Sequence, residues 1–276
     1  MQPFSESELL PIDSGLRRSA RRKRSAGPQD PAESPNFITA LARGLEVMRC
    51  FKPGSGPLGN LELAALTGLP KPTISRITYT LKSLGYLRYH DDTGRYSPGY
   101  SVLALGFGSL AGMEMRALAQ PIMQRLATET QAAVALGVYD QGAMTYIEAI
   151  HGSPALYLRL PVGHRVGMHS AMGRAYLASL TEADRAITLG ELTADVPSAS
   201  LIGTACRDYL DAGCCFAFGD WQAGINAVAV PFEAPNGDGR MVMSCGGPAT
   251  TLRAERMRGP VAQSLLHAVR QLSGVG

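Results

Sequence analysis

Apolar residues return every three or four positions in two early segments of the chain, and this spacing predicts two amphipathic helices. The first helix is expected over 39–51, with Thr39 as its N-cap and a buried face of Leu41, Leu45, Met48 and Phe51. The second is expected over 61–67, with Asn60 as its N-cap and with Leu63, Ala64 and Leu66 facing inward. Residues 53–57 between them are rich in Gly, Pro and Ser, which is typical of a loop.

The stretch 61–87 then continues into a third helix after a turn at Thr67-Gly68-Leu69. Gly68 adopts a left-handed conformation without strain, so it ends one helix and turns the chain. The next helix opens at Lys71-Pro72, because a proline suits the first turn, where no backbone N–H is needed. Its apolar stripe consists of Ile74, Ile77, Leu81 and Leu84.

The opposite side of this third helix carries polar groups. At about 100° per residue, Ser75, Arg76, Tyr79 and Ser83 face away from the stripe. A cation, hydroxyls and a phenol ring are groups that bind phosphates and base edges, so this face is expected to be a recognition helix for double-stranded DNA. The candidate DNA-binding residues are these four together with Lys71 and Thr73 at the helix start.

The segment 86–100 is expected to be a β-hairpin, because two strand-like runs flank Asp91-Asp92-Thr93-Gly94. Gly94 supplies the positive φ that a four-residue loop needs. Helices followed by a hairpin give the order of a winged helix-turn-helix, in which the wing lies along the DNA backbone or minor groove. Arg95, with His90, is therefore a candidate phosphate contact. A solvated turn cation is an equal alternative for Arg95.

The segments ALARGLEVMRCF, LAALTGLPKPTISRITYTLKSLGYL and DDTGRYSPGYSVLALG resemble the N-terminal domain of the IclR family of bacterial transcriptional regulators. The resemblance covers about 36–272. It departs from the family at Pro72 and at Ile77-Thr78-Tyr79 inside the recognition helix, which leaves the operator sequence open. The resemblance implies a winged helix-turn-helix domain over 36–98, a linker helix over 99–116 and a GAF-like effector-binding and oligomerisation domain over 117–276.

The second half of the chain alternates strand-like and helix-like runs. Strands are expected over 132–140 and 143–150, joined by a turn at Gln141-Gly142, and over 155–160, 214–218, 226–232 and 240–245. The runs 170–180, 181–189, 201–212 and 252–272 have helical patterns. Strands grouped with helices around them predict an α+β domain, with one sheet and helices packed on it.

The helices expected over 101–130 are too apolar for a free linker, with Pro121 as a kink or a restart. Their apolar residues indicate that these helices pack either against a second subunit or against their own domain. The family resemblance implies a homodimer or a dimer of dimers.

Three segments of the second half resemble the effector pocket of the family: MHSAMGRAYLA, GDWQAGINAVAVP and MSCGGP. The N–H groups of Ala171-Met172-Gly173 are expected at a helix start, where they suit the carboxylate of a small organic acid, aromatic or otherwise. Trp221 is either a wall of the pocket or a residue that is simply buried or at a subunit contact. The candidate effector-binding residues are Met168, Ala171, Met172, Gly173, Asp220, Trp221, Ala227, Ser244 and Gly246.

The charge balance differs between the two parts of the chain. Residues 1–112 contain 14 Lys and Arg against 9 Asp and Glu, whereas the remainder contains 12 against 14. The excess is modest, but it falls on the helix-turn-helix pattern, which fits an anionic polymer as partner. The run LRRSARRKRSA lies in a tail over 1–35 that is expected to be disordered. It is either a solvated tail or an arm that adds phosphate contacts.

Other classes of protein are less consistent with the sequence. No run approaches 18 apolar residues and no apolar signal core opens the chain, so we expect a cytoplasmic protein that binds no membrane. Five cysteines without metal-ligand spacing indicate reduced thiols, no metal site and no cofactor. An enzyme using Cys245 and His169 is the remaining chemical alternative, but no motif orders these residues, and we expect no catalytic site.

These features together predict a transcriptional regulator that binds a near-palindromic operator and whose DNA affinity is changed by a small organic acid in the C-terminal domain. A DNA-binding protein without a ligand, whose C-terminal half serves oligomerisation alone, is the main alternative.

Overall fold

The computed structural model describes residues 34–52, 54–152, 161–193 and 195–274. The expected basic tail, apart from its last two residues, and the strand expected over 155–160 lie outside the described residues.

The first domain consists of three helices and a hairpin in the predicted order. The helices are α1 (Thr39–Arg49), α2 (Asn60–Thr67) and α3 (Lys71–Ser83). Gly68 ends α2 with φ = 69°, which confirms the left-handed turn predicted there. The antiparallel strands β1 (Leu87–His90) and β2 (Arg95–Pro98) form the hairpin, and Gly94 has φ = 65° in its loop.

The core of this domain is small. Val47, Leu63 and Ile74 are fully buried, one from each helix, and half-buried side chains such as Phe51 and Leu81 surround them. Four residues predicted to face inward are instead exposed: Leu41, Leu45, Leu66 and Leu84. Periodicity assigns residues to one side of a helix, but three short helices and a hairpin cover only part of that side.

The predicted N-caps of the first two helices are wrong by one residue. Ile38 is the N-cap of α1, since its carbonyl accepts the first helical hydrogen bond from the N–H of Ala42. Gly59 is the N-cap of α2, and its own N–H donates to the Glu62 carboxylate at 2.8 Å. Thr39 and Asn60 are therefore the first helical residues.

The linker helix expected over 99–116 is two helices, α4 (Tyr100–Ala111) and α5 (Glu114–Thr130), which meet at an angle of 79°. The chain turns at Gly112, and three residues later Met115 is fully buried in the core of the second domain. The helix α5 continues past Pro121, so of the two predicted alternatives, a kink or a restart, the restart is wrong. Within the described residues no single helix is long and apolar enough to cross a membrane; only α4 and α5 counted together reach that length and composition.

The second domain contains a six-stranded antiparallel sheet in the order β5-β4-β3-β8-β7-β6. The strands are β3 (Ala133–Asp140), β4 (Ala143–His151), β5 (Arg165–Val166), β6 (Cys215–Phe218), β7 (Ile225–Ala234) and β8 (Gly239–Pro248). Gln141 and Gly142 both have positive φ in the turn between β3 and β4, as the hairpin prediction requires. The short β5 is not among the strands predicted from the sequence.

Helices cover both faces of this sheet. The helices α5 and α10 (Ala262–Ser273) pack on one face; α6 (Ala171–Ser179) and α8 (Ala199–Ala212) pack on the other. Between them along the chain lie α7 (Glu182–Gly190), the short α9 (Ala254–Arg256) and a wide helical turn, Met257–Val261. Alternate strand residues enter two separate cores, which confirms the predicted α+β domain.

Candidate nucleic-acid interface and ligand cavity

The outward face of α3 is open to solvent. Lys71, Ser75, Arg76, Tyr79 and Ser83 are exposed, with Tyr79 at 72%, while Thr73 is half-buried. A cation, hydroxyls and a phenol therefore project from one helical surface, as predicted. These groups match the donors and acceptors that DNA phosphates and base edges offer.

The inner side of α3 is fixed by a polar contact that was not predicted from the sequence. Thr78 is fully buried beside Ile74, and its hydroxyl lies 3.0 Å from the Ile74 carbonyl and 3.3 Å from Oδ1 of Asn60. Asn60 also donates from Nδ2 to Oγ of Ser75 at 3.4 Å. Asn60 thus connects the start of α2 to α3 instead of capping its own helix. A polar residue within the apolar stripe was the only signal for this contact.

Arg95 connects the wing to the rest of the domain. Its Nη2 pairs with Oε1 of Glu62 at 3.1 Å, and its Nη1 donates to the Pro57 carbonyl at 2.8 Å. The backbone N–H of Gly59, followed by the charge of Arg95, lowers the pKa of the Glu62 carboxyl. Because both ends of the guanidinium are already bonded, the structure favours a structural role for Arg95 over a phosphate contact. The other wing candidate, His90, lies 2.9 Å from Oγ of Ser97 through Nε2.

The second domain has a cavity over the sheet face that carries α6 and α8. Two adjacent rows of paired residues cross the strands there, and most of their side chains are small. One row is Ala149, Ala135, Ser244 and Ala229; the next is His151, Ala133, Gly246 and Ala227. Because Ala, Ser and Gly fill little volume, space remains above the sheet.

Larger side chains form the walls of this cavity, namely Tyr146, Trp221 and Ile225. The cavity itself has a volume of about 50 Å³, and the space that continues from it through the mouth into solvent brings the total to about 490 Å³. Burial raises the pKa of Tyr146 to about 12, so its phenol is neutral and available as a hydrogen-bond donor at physiological pH. Ser244 and His151 are the other polar side chains at the lining. A mainly apolar recess with a few polar groups is the usual composition of a small-molecule site.

Four of the nine predicted effector residues line this cavity: Trp221, Ala227, Ser244 and Gly246. The sequence missed most of the others, because Ala133, Ala135, Tyr146, Ala149 and His151 lie on β3 and β4, outside the three segments that resemble the family pocket. Their only signal was a high proportion of alanine in a predicted hairpin.

The predicted residues around the start of α6 are mainly packing residues. Met168, Ala171 and Met172 are buried in the core beneath α6. The N–H of Gly173 donates to Oγ of Ser170, the N-cap, at 3.1 Å. The helix does begin at Ala171 as predicted, but Ser170 already takes one of the donors expected for a carboxylate.

Asp220 is occupied by a buried arginine. Its Oδ2 lies 2.5 Å from Nη2 of Arg174, whose Nη1 and Nε donate to the carbonyls of Phe216 and His169 at 2.7 and 2.8 Å. Arg174 needs this anion because a buried, unpaired cation is costly. The structure therefore gives Asp220 a partner within the protein, and it does not line the cavity.

The geometry does not support the catalytic alternative. Cys245 is fully buried in the core on the α5 and α10 face, and burial raises the pKa of its thiol. His169 precedes α6 on the opposite face, with Nδ1 3.2 Å from a carboxylate oxygen of Asp195. The sheet separates the two groups. Among the residues that the structure describes, no three His, Cys, Asp or Glu side chains are grouped as metal ligands.

Two models of protein families match the chain. The IclR helix-turn-helix domain matches residues 40–91, and the model described as bacterial transcriptional regulator IclR C-terminal matches residues 107–274. Together they include α3 and nearly the whole sheet domain.

Similar proteins of known role are regulators. The chain is 27% identical over 246 residues to the HTH-type transcriptional regulator TsaQ1/TsaQ2 of Comamonas testosteroni, covering 86% of this chain and 87% of that protein. It is 28% identical to the transcriptional repressor IclR of Escherichia coli, covering 55% of this chain and 56% of that one.

Solved structures show the same architecture. An IclR family transcriptional regulator from Brucella abortus has 38% identity and a TM-score of 0.77, covering 87% of this chain and 94% of that one. An IclR homolog from Microbacterium hydrocarbonoxydans, complexed with 4-hydroxybenzoate, has 22% identity and a TM-score of 0.68, covering 86% and 98%. The second likeness is of fold alone.

Proposed function

This chain belongs to the IclR family of bacterial transcriptional regulators, and from that premise we propose that a small organic acid in the cavity of the second domain changes its affinity for an operator. Like its relatives, the chain is a DNA-binding transcriptional regulator and not an enzyme. The observation that carries the proposal is the cavity floored by two rows of small residues, in a domain separate from α3.

For DNA, the proposed contact surface is the outward face of α3: Lys71, Thr73, Ser75, Arg76, Tyr79 and Ser83. Arg76 is the proposed reader of a guanine, since a guanidinium bonds to O6 and N7 of that base in the major groove. Arg95 contributes by holding the wing against α2 through Glu62. The regulator would act in the cytoplasm on double-stranded DNA.

For assembly, we propose a homodimer, or a dimer of such dimers, on a near-palindromic operator. The helix α4 supports this proposal, because none of its residues is buried and Leu103, Leu105 and Phe107 are each more than half exposed. An apolar helix of this kind is stabilised by a partner surface. A two-fold dimer places two copies of α3 about one helical turn of DNA apart.

For the effector, the proposed class is a small aromatic or other organic acid. The apolar floor and the Trp221 ring suit a planar hydrocarbon body, while Ser244, His151 and the Tyr146 phenol offer polar contacts for a carboxylate or hydroxyl. The 4-hydroxybenzoate bound by the Microbacterium homolog belongs to this class and is the first compound to test.

The test has two stages. First, the protein selects duplexes from a random library at about 0.15 M salt, where phosphate contacts alone bind weakly. Two half-sites about 10 base pairs apart are expected in the enriched sequences. Enrichment of a single half-site would contradict the dimer, and no enrichment would contradict sequence-specific binding through α3.

Second, calorimetry measures binding of 4-hydroxybenzoate, benzoate and short aliphatic acids, and the selected duplex is then titrated with and without each acid that binds. We expect at least one acid to bind and to change the duplex Kd by about 5-fold or more. If none binds, the second domain serves oligomerisation alone and the effector proposal is wrong.

A further inference from the structure

The strand β4 contains an irregularity beside the cavity. Leu136 of β3 pairs with Glu148, but the next residue, Gly137, pairs with Tyr146, so Ile147 is an extra residue in β4. Such a β-bulge changes the direction of the side chains next to it. Tyr146 consequently lines the cavity on one face, while Ile147 enters the core on the other face, beneath α5.

Glu148, the residue after this bulge, is bonded in two directions. Its side chain is only 7% exposed. One carboxylate oxygen accepts the N–H of Ala149, which lines the cavity, at 3.0 Å. The other oxygen contacts α5, at 2.8 Å from Nη2 of Arg116 and 3.1 Å from Nε2 of Gln120. One buried carboxylate therefore connects the cavity lining to α5.

Arg116 is placed where the linker turns. It lies in the first turn of α5, three residues after Met113, and its Nε also donates to the Ile147 carbonyl at 3.0 Å. The first domain joins the second through α4, which meets α5 here at 79°. The guanidinium thus holds this corner of the linker to both residues that follow Tyr146, namely Ile147 and Glu148.

Tyr146 also borders the groove beside the linker. It is the one described residue that lines both the cavity and the groove between α4 and β4, where Leu103, Leu110 and Met113 lie. A ligand that moves the Tyr146 ring or the β4 backbone would therefore act directly on the bulge. The Glu148 carboxylate beside the bulge is only 7% exposed, so it has little free space in which to absorb a displacement of the β4 backbone.

We propose that the ion pair of Arg116 and Glu148, seated on the bulge of β4, transmits cavity occupancy to the linker corner and so to the DNA-binding domain. The inference rests on the proposed function, since it names the route by which the same cavity regulates DNA binding. Arg116 and Glu148 are positioning residues here, because neither is assigned a contact with the acid or with DNA.

The test compares Glu148→Gln with the control Glu233→Gln, in the full-length protein. Both substitutions remove the charge from a carboxylate paired with an arginine in the same sheet domain, and the control breaks the exposed pair with Arg240. Three quantities are measured for each: the Kd of 4-hydroxybenzoate, the Kd of the selected duplex, and the factor by which saturating acid changes the duplex Kd.

With Glu148→Gln, we expect saturating acid to change the duplex Kd by less than about 2-fold. The Kd of the acid alone and the Kd of the duplex alone should each change by less than about 3-fold. The control should keep the wild-type factor. Arg116→Gln is the second variant, and it should lower the factor in the same way even if it also lowers the melting temperature.

The inference is overturned if both variants bind the acid and retain the wild-type factor. It is also overturned if wild-type protein binds the acid but the acid does not change the duplex Kd. If no acid of the panel binds wild-type protein, regulation by an organic acid is contradicted, and so is the route through Arg116 and Glu148 that depends on it.

Discussion

The outward face of α3 and the cavity of the second domain are built by opposite means. The first consists of side chains that project from thirteen consecutive residues. The second is a recess above small side chains, and its lining comes from four strands and from Trp221. A substitution therefore damages the first by removing atoms and the second by adding them. This difference makes the two sites separable by mutation.

The two domains also differ in how much core supports each site, and Leu63→Ala should have the largest effect. Leu63 is one of the three buried apolar residues at which the helices of the first domain meet, so we expect a loss of about 2–5 kcal/mol and of DNA binding with it. Trp221 is the only tryptophan and lies in the second domain, so its fluorescence follows the unfolding of that domain. This transition should be the same in the variant and in wild type. Denaturant titration followed by circular dichroism and fluorescence separates the two transitions.

The matched control is Leu66→Ala, three residues further along the same helix. Leu66 is 62% exposed, so this change should cost no more than about 0.5 kcal/mol. Equal losses for the two variants would contradict the core described for the first domain.

Filling the cavity should remove acid binding alone. A Cβ on Gly246 would lie 3.4 Å from the Cβ of Ala227, which is ordinary contact, but the rest of a leucine would enter the cavity. We expect Gly246→Leu to weaken acid binding by about 100-fold, or 2.7 kcal/mol, as measured by calorimetry. The control is Met243→Leu, which conserves side-chain volume and lies on the opposite face of the same strand. It should leave acid binding intact.

Truncating the recognition helix should remove DNA recognition alone. Arg76→Ala should cost about 1–3 kcal/mol on the selected duplex and relax the sequence preference at one base pair. Lys82→Ala is the control, since Lys82 lies at the end of α3 over the Tyr89 ring, outside the proposed contact set. If Arg76→Ala weakens binding equally on all duplexes, Arg76 is a phosphate contact and reads no base.

The smallest effect is expected at the wing and should depend on pH. Because the Gly59 N–H and Arg95 lower the pKa of Glu62, its charged form stabilises the folded domain above the pKa that the carboxyl has when unfolded. Glu62→Gln should therefore lower stability above about pH 5. The difference from wild type should disappear as the pH falls through the folded pKa. Thermal unfolding from pH 3 to pH 7 measures it, and a difference that grows toward acid would contradict the contact.

Local features of the first domain followed from the sequence. The turn at Gly68 and the outward side of α3 each depend on a few consecutive residues, so spacing alone was enough to predict them. The inward assignment of Leu41, Leu45, Leu66 and Leu84 was wrong because burial depends on what covers a helix, which its own periodicity does not contain.

The cavity was only partly predictable. Ser244, Gly246 and Ala227 were identified through resemblance to a family, whereas their partners on β3 and β4 required the strand register. Asp220 was assigned to the ligand because its partner Arg174 is 46 residues away in sequence and α6 had no known position against β6. Residues that meet only after folding are the ones that sequence patterns assign poorly.

The most direct test of two separable sites measures both Kd values for Arg76→Ala and for Gly246→Leu in parallel. We predict that Arg76→Ala loses affinity for the selected duplex but binds the acid as wild type does, and that Gly246→Leu does the reverse. If either folded variant loses both activities together, the face of α3 and the cavity are not separate sites, and the account is contradicted.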